Sequence, residues 1–436
     1  MSSKIQASCP ALLIAAPASG QGKTTVTAAL ARFHARRGLR VRVFKTGPDF
    51  IDPTIHEMAS GHPAYQLDLW MVGEQACQTL LFEAAQEADL ILIEGVMGMF
   101  DGTPSSADLA KRFAIPIVAV IDARAMAQTF GALCFGLTHY DSELNVAGVV
   151  ANRVASERHE QLLRESLRPE TCLLAVLPKN EKITMPERHL GLQLAQEQGD
   201  LLQRLDAAAD LLEGSKLETL PEAVTFQSSE AASKVQERSL QGRRIAVARD
   251  AAFAFVYPAN IDLLQSLGAE LCFFSPLSDA EVPVCDALYL PGGYPELHLE
   301  RLASNTPMMA SIRATIECVP SLAECGGMLY LLKSMTDRND KVAQLCSVID
   351  TSAVLNSKVA GLGSLKAVLN GFDVRGHTFH YSSLVNDPEF SDYCQSNLTG
   401  RKTEGIYSSG KLLASYAHWY FPSCPEWVAS FFRGED

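Results

Sequence analysis

The sequence predicts two α/β domains in tandem. Three observations carry this expectation: an apolar run near the start that leads through a glycine-containing loop into a helical pattern, a regular alternation of strand-like and helix-like segments after it, and a second alternation that begins anew beyond a polar stretch. At 436 residues the chain is long enough for two or three domains, each with its own core.

The first strand is the run Leu12-Leu13-Ile14, followed by AAPASGQGKTT from Ala15 to Thr25 and the helix-like VTAALARFHARRG. This order places Lys23 and Thr24 at a helix N-terminus, where unpaired N–H groups and the helix dipole favour a phosphate. A phosphate loop reads G-x-x-x-x-G-K-S/T; Gly22, Lys23 and Thr24 match it, and Pro17 stands in place of the first glycine. Gly20, Gly22, Lys23, Thr24 and Thr25 are the expected nucleotide contacts, with Lys23 on the outer phosphates and Thr24 on magnesium. An ordinary strand-to-helix turn is the alternative.

Apolar runs at Val41 to Phe44, Leu90 to Ile93, Ile115 to Ile121, Val146 to Ala151 and Leu173 to Leu177 are each bounded by Gly, Pro or Asp. Such runs suit strands buried on both faces of a parallel sheet, and ligands of such sheets gather at the strands' C-terminal ends. After the second strand, KTGPDFIDPTIH carries Lys45, Asp49, Asp52 and His56. Acids in a Gly/Pro turn are often mere turn formers, but here they lie beside the phosphate loop, which points to magnesium or substrate. Glu94 ends the next strand, in EGVMGMFDG, where a carboxylate orients magnesium directly or through water. Asp101 follows in an Asp-Gly turn, itself a standard turn signal.

From Glu213 to Gly242 the composition turns polar and rich in Ser and Glu, which reads as a linker between a first domain, 1–212, and a second, 243–436. A new sheet begins with Arg244 to Ala248, and ALYLPGGYPE holds a further strand ending at Gly292 and Gly293. In VPSLAECGGMLYLLKSM a strand, a sharp turn and a helix put Cys325 at the turn, with Gly326 and Gly327 as the small neighbours a nucleophile elbow needs. A helix N-terminus there is expected to lower the thiol pKa. Gly326 and Gly293 are the expected oxyanion donors. His377, His380 and His418 are candidates for the base, with His418 favoured because it closes an apolar strand.

Composition excludes other classes. A net charge of -13 argues against broad nucleic-acid binding, which needs a basic face, and no apolar run approaches the about 20 residues that span a bilayer. The eleven cysteines form neither C-x-x-C nor a His/Cys cluster, so no zinc site or disulfide framework is expected and a cytoplasmic setting fits. The early apolar stretch reads as the first strand rather than as a signal peptide.

Taken together, PASGQGKTT, KTGPDFIDPTIH, EGVMGMFDG, RHLGL at Arg188 to Leu192, LPGGYPE, AECGGMLYL, GHTFHYS and ASYAHWYF resemble the cobyrinic acid a,c-diamide synthases, including the hydrogenobyrinic acid a,c-diamide synthases of aerobic cobalamin biosynthesis. The resemblance runs over nearly the whole chain. It implies a dethiobiotin-synthetase-like phosphate-loop domain followed by a class I glutamine amidotransferase domain. ATP, glutamine and a corrinoid, cobyrinate or hydrogenobyrinate, are the implied ligands, with Mg2+ as cofactor and a homodimer as the candidate assembly. It makes Asp49, Asp52, Glu94 and Asp101 acids of the synthetase site, turns Phe50 and Ile51 toward the corrinoid, puts Thr24 and Glu94 on magnesium, and makes Cys325 the glutaminase nucleophile with His418 its base. Two departures stand out. Thr378 occupies a place where many relatives have an acid, and Tyr420 replaces the carboxylate of the usual H-x-E, which leaves the third member of the triad unassigned, with Glu324 beside the nucleophile as a candidate substitute. A nickel-sirohydrochlorin a,c-diamide synthase, a cobyric acid synthase, a partitioning ATPase and a dethiobiotin-synthetase-like ligase are the alternatives; the last two have no use for the Cys325 elbow.

Overall fold

In the computed structural model the chain forms two compact units, Met1–Lys234 and Val235–Asp436. The structure describes residues 5–180, 183, 199–228 and 238–435, so the RHLGL motif lies outside the described residues.

The first unit is built on strands β1 (Gln6–Ala15), β2 (Val41–Lys45), β3 (Tyr65–Gln66), β4 (Leu90–Glu94), β5 (Ile117–Asp122), β6 (Val146–Val154), β7 (Leu173–Pro178) and β8 (Ala223–Gln227). The sheet order is β3-β2-β4-β1-β5-β6-β7, parallel throughout, with β8 added to β1 in antiparallel sense. Every residue of β4 and β5 is buried, as continuous apolar strands in a two-sided sheet must be. The helices between strands are α1 (Lys23–Arg36), α2 (Asp52–Ser60), α3 (Glu74–Glu87), α4 (Ser106–Phe113), α5 (Thr129–His139), α6 (Glu157–Ser166) and α7 (Leu201–Asp210). Val26, Leu30 and Phe33 of α1, Ile55 and Ala59 of α2 and Leu201 and Leu205 of α7 close over Leu12, Ile14, Leu90 and Leu92 in one core. Because the strands run parallel, the residues after β1, β2, β4, β5 and β6 converge on one edge of the sheet.

The stretch expected as a linker, 213–242, differs from that expectation over its first part. Leu217 is buried in a short 3-10 turn, and β8 pairs with the N-terminal half of β1 from Gln6↔Gln227 to Pro10↔Ala223. The physical reason is a period-two pattern too short to stand out from its polar surroundings: Val224 and Phe226 are buried between exposed Ala223, Thr225 and Gln227.

The second unit has strands β9 (Arg244–Ala248), β10 (Glu270–Phe274), β11 (Ala287–Leu290), β12 (Ser321–Glu324), β13 (Leu332–Thr336), β14 (Val342–Gln344), β15 (Ile349–Leu355), β16 (Gly361–Leu369), β17 (Phe372–His380), β18 (Ser382–Leu384), β19 (Asp392–Ser396), β20 (Lys402–Ser409), β21 (Leu412–Ser415) and β22 (His418–Trp419). Its main sheet has the order β10-β9-β11-β12-β21-β20-β19-β16-β17-β22, and a small sheet the order β14-β13-β15-β18. From β10 to β21 the main sheet is parallel; beyond β21 it is antiparallel. Alternate residues of β9 serve opposite cores, Ala246 and Ala248 in one, Ile245 and Val247 in the other. Helices α8 (Pro258–Ser266), α9 (Leu299–Ser304), α10 (Thr306–Cys318), α11 (Gly326–Leu331) and α12 (Pro425–Arg433) complete the unit. No helix among the described residues is long and apolar enough to cross a membrane.

Candidate active sites

The phosphate loop joins β1 to α1. Gly20 and Gly22 both have positive φ, and an ideal Cβ on Gly22 would lie 2.2 Å from Asn152 Nδ2, so conformation and space both require glycine there. Lys23 opens α1, with Thr24 and Thr25 in its first turn. Lys23 Nζ donates to Ala18 O at 3.1 Å and Met97 O at 2.5 Å. Asn152 Nδ2 donates to Gln21 O at 2.8 Å, Asp122 N to Gln21 Oε1 at 2.9 Å, and Arg153 Nη1 to Gly20 O at 2.9 Å. Arg153 also pairs with Asp122 at 2.6 Å, and Arg124 with the same carboxylate at 2.8 Å. The ends of β5 and β6 thus pin the loop. Sequence reasoning missed Asp122, Arg124, Asn152 and Arg153; their place after buried apolar strands was the signal that could have found them.

Glu94 is 1% exposed and lies at the centre of a polar cluster. Its Oε1 accepts from Thr24 Oγ1 at 2.8 Å and lies 3.0 Å from Lys45 Nζ, while Oε2 bonds His56 Nε2. Lys45 in turn reaches Asp52 at 2.9 Å and Asp49 at 3.9 Å. Burial opposes the charge of Glu94, but Lys45 and His56 outweigh it and hold the carboxyl below its usual range. The hydroxyl of Thr24 and a carboxylate oxygen in contact are hard donors that suit magnesium, which takes few protein ligands and keeps waters and phosphate oxygens.

Asp49, Asp52 and Glu94 are therefore brought together, with Lys45 between them. Asp49 also organises the entry to α2, since its Oδ1 accepts from Ile51 N at 2.8 Å and Asp52 N at 3.2 Å. Phe50 and Ile51 are half-buried in that entry. Asp101 is exposed, and its Oδ2 accepts from Gly98 N at 2.9 Å, which is the turn role that Asp-Gly signals; it shapes the loop whose Met97 carbonyl receives Lys23.

In the second unit Cys325 sits between β12 and α11 with φ 42 and ψ -104, a strained backbone of the elbow kind. Its N–H donates to Ser415 O at 2.7 Å. A Cβ on Gly326 would lie 2.8 Å from Gly293 N, and one on Gly327 would lie 2.1 Å from Leu290 O, so this turn is pressed against the LPGG segment. A Cβ on Gly292 would lie 2.2 Å from His418 Cε1. The glycines thus draw Cys325, Gly293 and His418 into one site.

The electrostatics correct one expectation. Burial, with Glu296 adding, pushes the Cys325 thiol far above its ordinary value, and the Gly326 N–H counters this too weakly. That N–H opens the six-residue α11, so the helix end lowers the thiol but does not offset burial. Burial, with His377 and His380 nearby, holds His418 well below its ordinary value. The resting pair is a neutral thiol and a neutral imidazole.

His377 is the cross-strand partner of His418, stacks on it at 4.8 Å and shares a 2.8 Å hydrogen bond with Tyr257 Oη, while burial lowers its pKa to about 3. His380 stacks on Tyr416 at 3.7 Å, lies 3.3 Å from Glu404 Oε1 and bonds Ser382 O at 2.8 Å. Thr378 Oγ1 donates to the same Glu404 oxygen at 3.0 Å, so an acid does stand beside GHTFHYS, supplied by β20. Glu324 accepts from Trp419 N at 3.0 Å and from Tyr289 Oη at 2.8 Å, and burial raises its pKa to about 8. It grips the backbone one residue beyond His418.

Residues 12–192 match the CobQ/CobB/MinD/ParA nucleotide binding domain, and residues 244–425 match the CobB/CobQ-like glutamine amidotransferase domain. The chain is 56% identical to the hydrogenobyrinate a,c-diamide synthase of Stutzerimonas stutzeri (strain A1501), over 98% of this chain and 99% of that one. It is 55% identical to the enzyme of that name from Pseudomonas aeruginosa, over 98% of each chain, and 46% identical to the cobyrinate a,c-diamide synthase of Herminiimonas arsenicoxydans, over 97% of each. Among solved structures, the septum site-determining protein MinD of Pyrococcus horikoshii OT3, complexed with Mg-ADP, covers 48% of this chain and 94% of its own at 17% identity and a TM-score of 0.32. With both domains matched in order and full-length relatives above half identity, the chain belongs to the family of hydrogenobyrinate and cobyrinate a,c-diamide synthases.

Proposed function

We propose that this protein is a glutamine-dependent ligase that uses ATP to convert the a and c side-chain carboxylates of hydrogenobyrinate into carboxamides. The observation that carries this reading is full-length identity of 56% and 55% to two hydrogenobyrinate a,c-diamide synthases. Cobyrinate is the second reading, favoured by the relative at 46% identity. The part-buried Thr24–Glu94 contact and the Cys325–His418 site agree with the two half-reactions such a ligase needs.

At the glutaminase site, His418 takes the Cys325 proton as the thiol attacks the glutamine side-chain carbonyl, with Gly293 and Gly326 N–H groups as oxyanion donors. His418 passes that proton to the nitrogen as ammonia leaves, and water releases glutamate from the thioester. At the synthetase site a ring carboxylate attacks the outer phosphate of ATP, giving an acyl phosphate and ADP. Ammonia displaces phosphate from it and loses a proton, leaving the amide. Activation is needed because a carboxylate anion is a weak electrophile and a poor source of a leaving group. Lys23 binds the outer phosphates and orients them for in-line transfer. Thr24 and Glu94 would hold magnesium, which would supply positive charge against the triphosphate. Asp49, Asp52, Phe50 and Ile51 take the substrate side of this site, and Asp101 shapes the loop that meets Lys23.

Incubation with MgATP and glutamine, with metal-free or cobalt-containing ring, followed by mass spectrometry, tests the reading. Stepwise conversion of two carboxylates of the metal-free ring is expected. Absence of amide on either ring, with glutamine-independent ATP turnover, would refute it in favour of a partitioning-type ATPase.

A further inference from the structure

Helix α2 presents Asp52 and His56 on one buried face, and both reach the charge cluster at the end of β4. The two oxygens of Glu94 are divided among its partners: Oε1 faces Thr24 at 2.8 Å and Lys45 at 3.0 Å, while Oε2 is held by His56 Nε2. The His56 side chain is 0% exposed, so this bond is closed to water. An ionised carboxylate only accepts, so in this bond the imidazole donates from Nε2. Among the described residues His56 Nδ1 has no hydrogen-bond partner. A histidine retained to satisfy a core would use both nitrogens; this one is oriented by a single bond, and that bond ends on Glu94.

The terminal torsion of a glutamate is soft and roughly two-fold, so a carboxylate held at one oxygen only can rotate. Lys45 is the nearest competitor for it. Without His56, rotation would let Glu94 pair with Lys45 through either oxygen and would draw Oε1 from Thr24. We propose that His56 is a positioning residue of the synthetase site: by holding Oε2 it fixes the Glu94 carboxylate so that Oε1 stays turned to Thr24, where the magnesium of MgATP is held. This rests on the reading above that Thr24 and Glu94 serve MgATP. Groups that orient metal-binding side chains in this way are worth about 10- to 100-fold in affinity or activity when removed.

Calorimetric titration of the full chain with MgATP, without corrinoid or glutamine, tests this apart from the amidation reaction. His56→Ala should weaken MgATP binding about 10- to 100-fold. The magnesium concentration for half-maximal amidation should rise in parallel, and glutamine hydrolysis in the absence of ring should stay unchanged. His56→Gln, whose terminal amide N–H can reach Oε2, should restore most of the binding. If His56→Ala does not fold, His56→Asn, polar but too short to make the bond, takes its place with the same expected loss. A folded variant lacking the bond that binds MgATP as the unaltered protein does would refute the role of His56 alone, as would equal losses in His56→Gln and His56→Ala. Failure of the unaltered protein to bind MgATP would instead refute the nucleotide reading and this role with it.

Discussion

At Cys325 and His418, burial sets the protonation states. The thiol is pushed up and the imidazole down, which favours both uncharged forms near neutral pH; in the proposed mechanism the proton then moves as the thiol attacks. His418→Ala should therefore reduce glutamine hydrolysis by about 10²- to 10⁴-fold, the usual worth of a general base, and not leave the activity that a preformed thiolate would support. Steady-state glutaminase assays check this, and near-normal hydrolysis would show that another group takes the proton. The elbow was legible because Gly326 and Gly327 flank Cys325; the thiol's environment was not, since it comes from residues distant in sequence. Glu324 gives a second test at this scale. Its folded pKa of about 8 lies above the ordinary value of 4.5, so the unfolded chain gives up this proton first as pH rises. The neutral acid's contribution to stability is full below pH 4.5 and is lost as pH climbs through about 8. Glu324→Gln, which keeps a partner for Trp419 N–H and for Tyr289, should gain melting temperature relative to the unaltered protein between those limits. Equal pH dependence in both proteins would place an ionised carboxylate there.

Elements explain why some site residues could be read and others could not. The strands of the parallel sheet announced themselves as unbroken apolar runs, and Glu94 as the charge that ends one. Helix α2 hid the contacts its residues make, because Asp52 meets Lys45 and His56 meets Glu94 only when β2 and β4 lie side by side. Asp52→Asn should therefore do more than alter a turn. It leaves the buried ammonium of Lys45 leaning on Glu94, and amidation should fall about tenfold or more while the domain stays folded, since misplacing a catalytic group by about 1 Å can cost 10²-fold. Amide yields from mass spectrometry, with circular dichroism as the folding check, decide it. The LPGG turn was read for its oxyanion donor alone. Its other glycine is there for His418: Gly292→Ala would put a methyl 2.2 Å from His418 Cε1 and should abolish most glutamine hydrolysis by displacing the ring. Unchanged hydrolysis would mean the imidazole has room to shift without loss.

For the molecule as a whole, two chemistries on one chain should separate by mutation. Cys325→Ala should lose synthesis with glutamine and keep it with ammonium at raised pH, because phosphorylation of the carboxylate needs no thiol. Lys23→Ala should hydrolyse glutamine and make no amide with either nitrogen source. Rates with the two sources, measured side by side, check both, and full glutamine-dependent synthesis by Cys325→Ala would end the amidotransferase reading. The tandem α/β architecture was legible from the restart at Arg244, whereas the antiparallel half of the second sheet was not, because its strands are half-exposed, without unbroken apolar runs, and set by pairing with one another. Strand β8 bears on how the chain can be divided. It returns to cover the free flank of β1 after all the crossovers are complete, so the first unit is sealed by its own last segment. A fragment cut at residue 212 would leave a row of peptide groups from Gln6 to Pro10 open to pairing with other molecules, and should aggregate. One cut after residue 228 keeps that flank covered, and light scattering of the two fragments should tell them apart.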